Sequence, residues 1–284
     1  MMEKVKIVTD STCYMPKVYL EKYDIKVVPL YVRFGDEVYR EGIDMTHDEF
    51  YKKLHTTSIL PETTQPAPED FEKVYRELLK EGYKIISIHI SAGLSGTLNS
   101  ANAAKEALGS NDIYIFDSKF TSMGLGYQIL EIAKMLYEEN MPLQDVLKIT
   151  STLYKHMNIY FLVPDLFWLA RLGRIGKAKA ILGTVVKIKP ILFFDEGVVN
   201  VLEQPRTLEK GKERMIELTK EKVEKLGLKY ITVAYGENLE EAEKYRDFVE
   251  REFNKSVSLT QLGPVIGTHT GPQVLSIHFY TERI

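Results

Sequence analysis

The 284-residue chain contains a single cysteine, Cys13. One thiol excludes an intrachain disulfide framework and suits a reducing compartment, so a cytoplasmic location is expected. The start, Met1-Met2-Glu3-Lys4-Val5-Lys6, alternates charge with apolar residues and has no signal-peptide core. An excess of positive charge is also missing: 37 Lys+Arg stand against 40 Asp+Glu, a net −3. A protein that coats nucleic acid or an anionic membrane carries a basic excess, so neither partner is expected. Nor is there a long uninterrupted apolar run. Residues 256–281 hold no Asp, Glu, Lys or Arg over 26 positions, but Gly263, Pro264, Gly267, Gly271 and Pro272 break them up. A spanning helix needs about 20 predominantly apolar residues. The stretch is expected to be a buried or site-forming loop between strands, not an integral membrane segment.

Several signatures of standard chemistry are missing too. There is no G-x-x-x-x-G-K-[ST], no strand-linked G-x-G-x-x-G, no H-E-x-x-H and no cysteine pair, which predicts no metal, no cofactor and no ordinary nucleotide site. His47 and His55 are eight apart, which is not a helical ligand spacing. Asp44, Asp48 and Glu49 beside His47 read as an exposed acidic helix start.

What is present is ordinary globular material, 44% hydrophobic and 11% aromatic. The length suits about two domains of roughly 100–200 residues. The first half alternates strand and helix patterns: strands at 5–10, 25–34, 85–90 and 113–117, helices at 16–23, 68–81, 95–108, 121–139 and 142–157. Strands separated by helices predict parallel crossovers and a sheet with helices on both faces. In the second half, 186–194 and 198–204 flank an Asp195-Glu196-Gly197 turn and predict an antiparallel hairpin. Helices at 207–226 and 238–253 surround a strand at 230–235, and 274–280 is again extended. The expected fold class is therefore α/β: an N-terminal α/β domain at 1–160 and a C-terminal α+β domain at 161–284.

Four constellations could carry chemistry. In Thr63-Thr64-Gln65-Pro66-Ala67-Pro68, prolines at 61, 66 and 68 stiffen a loop beside a helix start, where an anion is electrostatically welcome. The same stretch also reads as a plain surface loop with Ala67 as a poor cap. Ser91-Ala92-Gly93-Leu94-Ser95-Gly96-Thr97 follows a strand and opens a helix, the place where α/β sheets bind ligands. Gly93 and Gly96 allow close backbone approach. The motif is one glycine out of register with a G-x-S-x-G nucleophile elbow, so Ser95 is either a helix-capping serine or, with His269 downstream, the nucleophile of a serine esterase. Residues 166–194 carry six basic side chains (Arg171, Arg174, Lys177, Lys179, Lys187, Lys189) and no acidic one, either a solvated face or a contact for an oxyanion. Finally, His269 lies between Thr268 and Thr270, bracketed by glycines, on what reads as a constrained turn rather than a helix face.

Taken together, the segments Asp10-Ser11-Thr12 with Val28-Pro29-Leu30, Thr63-Thr64-Gln65-Pro66, Gly93-Leu94-Ser95-Gly96-Thr97, and Gly173-Arg174-Ile175 with Gly267-Thr268-His269-Thr270-Gly271-Pro272 resemble the DegV family along essentially the whole chain. Two positions depart from its pattern: Thr64 stands where serine is common, and Gln273 where glycine usually follows Gly271-Pro272. The resemblance implies two domains with a long-chain fatty acid, such as palmitate, buried at their junction. It further implies a monomeric lipid-binding subunit of a fatty acid kinase, without catalytic chemistry of its own. Such a subunit presents the acid to a separate ATP-dependent kinase, which makes an acyl phosphate for phospholipid synthesis. By position, Thr63, Thr64 and Ser95 would bind the carboxylate. Arg174, Thr268 and His269 would sit at the mouth, where phosphoryl group or partner arrives.

Overall fold

A computed structural model describes residues 3–182 and 188–284. The chain opens with β1 (Val5–Asp10), α1 (Lys17–Lys22), β2 (Lys26–Val28), β3 (Tyr31–Phe34) and β4 (Glu37–Arg40). Next come α2 (His47–Thr56), β5 (Glu62–Thr64), α3 (Pro68–Lys80), β6 (Lys84–His89), α4 (Thr97–Leu108) and β7 (Ile113–Asp117). Strands β2-β1-β6-β7 form a parallel sheet in that order. Strand alternation sends successive side chains to opposite faces, and both faces are covered. Ile7, Ile86 and Ile88 join a central core, while Val8, Ile85 and Ile113 pack with Phe71, Tyr75 and Leu78 of α3. Those three lie four and three residues apart, one stripe of a helix.

After α5 (Met123–Tyr137) and α6 (Leu143–Thr150), a short 3-10 turn leads to β8 (Met157–Leu162), and α7 (Phe167–Arg171) follows. Then come β9 (Ile191–Asp195), β10 (Val198–Glu203), α8 (Leu208–Leu226), β11 (Tyr230–Tyr235), α9 (Leu239–Phe253), β12 (Ser258–Gln261), α10 (Pro264–Thr270) and β13 (Leu275–Tyr280). Their strands make a separate mixed sheet, ordered β10-β9-β8-β13-β11-β12, in which only β11 and β12 run parallel. One face of β13 (Leu275, Ile277, Phe279) packs with Met215 and Ile216 of α8 and Val249 of α9. The other face meets the central core, where α5 is packed against both sheets. Among the described residues no helix is long and apolar enough to cross a membrane.

Several expectations change. The helix expected at 142–157 ends at Thr150, and the domain change expected at 160/161 falls inside β8. All six residues of β8 are buried, so it lacks the alternation that marks a half-buried strand. The extended segment at 25–34 is split between β2 and β3. Thr63 and Thr64 belong to β5, an edge of the small antiparallel sheet β4-β3-β5, rather than to a loop. The charge-free stretch contains β12 and α10, so His269 is helical, not on a turn. Of the hairpin expected from 186, residues 186 and 187 lie outside the described residues, and the remainder forms β9 and β10.

Candidate functional site

A cavity of about 360 Å³ lies between the two sheets, within the range of roughly 300–1,000 Å³ usual for small-molecule sites. Its apolar wall includes Ile90 from the first half and Ile159, Phe161, Phe194, Val265 and Val274 from the second. A second depression of about 560 Å³ near Lys4, Lys6 and Tyr83 shares no residue with it. Two of the charges there are matched, Lys6 by Asp24 and Glu3 by Lys84, and Lys4 lies over the Tyr83 ring.

One end of the cavity gathers Thr63, Thr64, Ser95, Arg174 and His269. β5 pairs with β3 so that Thr63 faces Val32 across the ladder and Thr64 faces Tyr31. Thr63 is half-buried, and its Oγ1 lies 2.8 Å from Nε2 of His269. Thr64 is at the exposed end of the strand. α10 carries His269 into place because it packs on α7, α2, β3 and β5. Pro264 opens that helix where its missing N–H costs nothing.

Ser95 sits in the turn between β6 and α4. Its Oγ lies 2.9 Å from Oγ1 of Thr97 and accepts the Thr97 N–H at 3.3 Å. The turn is set by close approaches. A Cβ on Gly93 would lie 2.7 Å from the carbonyl oxygen of Gly197, and one on Gly96 would run into the Gln65 amide. The β9–β10 turn therefore presses directly on the Ser95 loop. Arg174 closes it from the other side, its Nε donating to Leu94 O at 3.1 Å and its Nη1 to Leu172 O. Among the described residues Arg174 has no carboxylate partner, so its charge is available to an anion. α4 starts immediately after Ser95, which adds the positive end of a helix dipole.

Burial, then the charges of Arg174 and Arg171, push the His269 imidazole down to about 3, so it is neutral at physiological pH. The pair with Thr63 then keeps one donor to spare. If Nε2–H donates to Thr63, the threonine O–H is free; if Thr63 donates to Nε2, the proton is on Nδ1. Among the described residues His269 Nδ1 is buried without a partner. A hydrolase would need that nitrogen held by a carboxylate and Nε2 on the nucleophile. Here Nε2 meets Thr63 and the Ser95 hydroxyl meets Thr97, so the Ser95–His269 esterase arrangement is not assembled.

Thr268 departs from its expected place at the mouth. It is fully buried, its Oγ1 donates to Pro264 O at 2.8 Å within its own helix, and Thr270 lines the cavity instead. The basic segment also disperses. Lys177 pairs with Asp195, Lys189 donates to Pro164 O, Arg171 donates to Pro61 O, and Lys187 lies outside the described residues. Of the five that are described, only Arg174 lines the cavity.

Sequence reasoning missed four cavity residues, Thr121, Ser122, Ser276 and His278. A signal for the last two was present: in Leu275-Ser276-Ile277-His278-Phe279 the polar residues alternate with apolar ones on a strand. Fully buried strands seldom spend that face on polar groups.

The DegV family model, described as "Uncharacterised protein, DegV family", matches residues 4–282. The protein DegV of Bacillus subtilis is 35% identical over 274 residues, covering 96% of this chain and 98% of the relative. Among solved structures, a fatty-acid-binding DegV family protein from Thermus thermophilus is 32% identical with a TM-score of 0.88, covering 98% of this chain and 99% of that one. A stearic-acid-binding protein from Eubacterium ventriosum is 28% identical with a TM-score of 0.90, covering 98% of each chain. With a match along nearly its full length, the chain belongs to the DegV family.

Proposed function

We propose that this protein binds one long-chain fatty acid such as palmitate, burying the tail between its sheets with the carboxylate at the Arg174 end. The observation that carries this reading is a cavity with an apolar wall and, among the described residues, one lining cation that has no carboxylate partner, Arg174. Thr63, Thr64 and Ser95 supply neutral donors to the carboxylate. Arg174 supplies the charge, and His269 orients Thr63 or donates through its remaining proton. The tail provides most of the affinity: about fourteen methylenes at ~0.8 kcal/mol each give roughly 11 kcal/mol of gross transfer. Ordering and association costs remove much of it. Hydrogen bonds to the charged head, roughly 1.5–3 kcal/mol each, fix its direction.

The protein is a cytoplasmic monomer on this reading and needs no cofactor. A carboxylate held at the rim beside exposed Thr64 is placed for a separate fatty acid kinase to phosphorylate, giving an acyl phosphate. The chemistry then belongs to the kinase, and this chain contributes position and water exclusion.

Ser95→Ala tests the assignment. It removes one carboxylate donor, and fatty-acid affinity is expected to fall about tenfold with an unchanged circular dichroism spectrum. Phosphorylation of the bound acid by an added kinase is expected to fall with it. Unchanged affinity and unchanged phosphorylation by the folded variant would remove Ser95 from the site.

A further inference from the structure

The cavity wall also carries polar side chains that bear no charge. Six buried side-chain polar atoms lack a partner among the described residues, and four of them belong to cavity-lining residues: Thr121 Oγ1, Ser122 Oγ, His269 Nδ1 and His278 Nδ1. His269 belongs to the carboxylate pole. The other three residues are all at least nine-tenths buried. Thr121 and Ser122 immediately precede α5, which packs on β8 and β13, and His278 is registered opposite Ile159 of β8. A Cβ on Gly124, the second residue of α5, would meet the Ile159 side chain, so the start of α5 and this part of the sheet converge.

The hydrogen bonding there is half complete. Ser276 Oγ donates to Ala234 O at 3.1 Å and lies 2.9 Å from His278 Nε2. With the serine proton on Ala234, Nε2 of His278 carries the ring proton, and Nδ1 presents a lone pair. Burial pushes the His278 imidazole down to about 3, so this cluster is neutral. It offers two hydroxyls and one acceptor nitrogen, with no cation to hold an acid group.

We propose that Thr121, Ser122 and His278 form a second, neutral polar subsite, and that the protein takes long-chain acids bearing a hydroxyl along the tail. A hydroxyl fits this set because it donates and accepts together: to His278 Nδ1, and from Thr121 or Ser122. These three groups include no cation, so the carboxylate stays with Arg174 and the subsite is left for the hydroxyl. The proposal rests on the fatty-acid reading above and sharpens its substrate class. In a wholly apolar cavity a tail hydroxyl would weaken binding by roughly five- to a hundredfold.

The test is a competition assay on delipidated full-length protein, comparing octadecanoic acid with a series of hydroxyoctadecanoic acids whose hydroxyl is stepped along the chain. The subsite predicts that at least one positional isomer binds about three- to tenfold more tightly than octadecanoic acid. It also predicts that Thr121→Val, which keeps the side-chain shape, and His278→Phe each erase that margin while still binding octadecanoic acid. If octadecanoic acid binds but every isomer binds more weakly or equally, the subsite is overturned and the fatty-acid reading stands. If neither class binds folded protein, the fatty-acid reading itself falls and takes the subsite with it.

Discussion

Arg174 and Glu41 show at the level of single residues how this protein places charge. Arg174 spends its donors on the Leu94 and Leu172 carbonyls, which hold the guanidinium over the Ser95 loop while its charge stays unmatched by any described carboxylate. Arg174→Ala is predicted to weaken fatty-acid binding by about ten- to a hundredfold, the loss of a charge-assisted contact. Because Arg174 is only half-buried, global stability should change by less than about 1 kcal/mol. Glu41 does the reverse. It is buried, and its two oxygens accept from Ser11 Oγ, Tyr14 Oη and the N–H of Val265 in the first turn of α10. Burial outweighs these bonds and raises the carboxyl from 4.5 to about 7. The folded protein then holds this proton more tightly than the unfolded chain. The group's stabilising contribution is full below about pH 4.5 and is lost as pH rises through about 7. Unfolding free energies across that range are predicted to show wild type losing stability relative to Glu41→Gln as pH rises. A difference that is flat or grows with pH would contradict the assignment.

Elements position the site through contacts between loops that the glycines make possible. Gly93 faces the backbone of Gly197, whereas Gly96 faces only the movable end of Gln65, which bonds Ser100 at 3.1 Å. Gly93→Ala must therefore push the Ser95 loop off the β9–β10 turn, at a cost of about 1–3 kcal/mol. Gly96→Ala displaces one amide and is predicted to cost less. Chemical denaturation of both variants checks the order, and equal losses would mean the backbone contact does not hold the loop. These glycines were readable in the sequence as points of close approach, and so were β6 and β11, whose contiguous apolar and β-branched runs announce buried strands, and β7, whose apolar run marks a strand of which only Ile113 is fully covered. α10 was not readable. Every one of its seven residues is buried, so it has no polar face to mark a helical period, and Gly267, Thr268 and Thr270 are weak helix formers. β5 was hidden differently: three residues between prolines are too few to alternate, and only pairing with β3 makes them a strand. Thr63, Thr64, Ser95, Arg174 and His269 lie in short motifs that stand out in the sequence, and all five line the cavity. Ser122 and His278 did not stand out, since more than half the chain separates them and only the packing of α5 on β13 brings their elements together.

At the scale of the whole molecule, a parallel sheet and a mixed sheet share one central core built around α5, and the cavity is the part of that core left unfilled by protein. Filling it with the proposed acyl chain would complete the packing, so ligand binding would also stabilise the fold. The net charge of −3 conceals this arrangement: among the described residues Arg174 is the one lysine or arginine that lines the cavity, and in its basic run Arg171, Lys177 and Lys189 are engaged elsewhere. The most direct test of the central claim is native mass spectrometry of the purified full-length protein, before and after delipidation and again after adding palmitate. The account predicts an added mass of one long-chain acid per chain, lost on delipidation and restored by palmitate. Bare protein throughout, with no palmitate adduct on a folded chain, would contradict it.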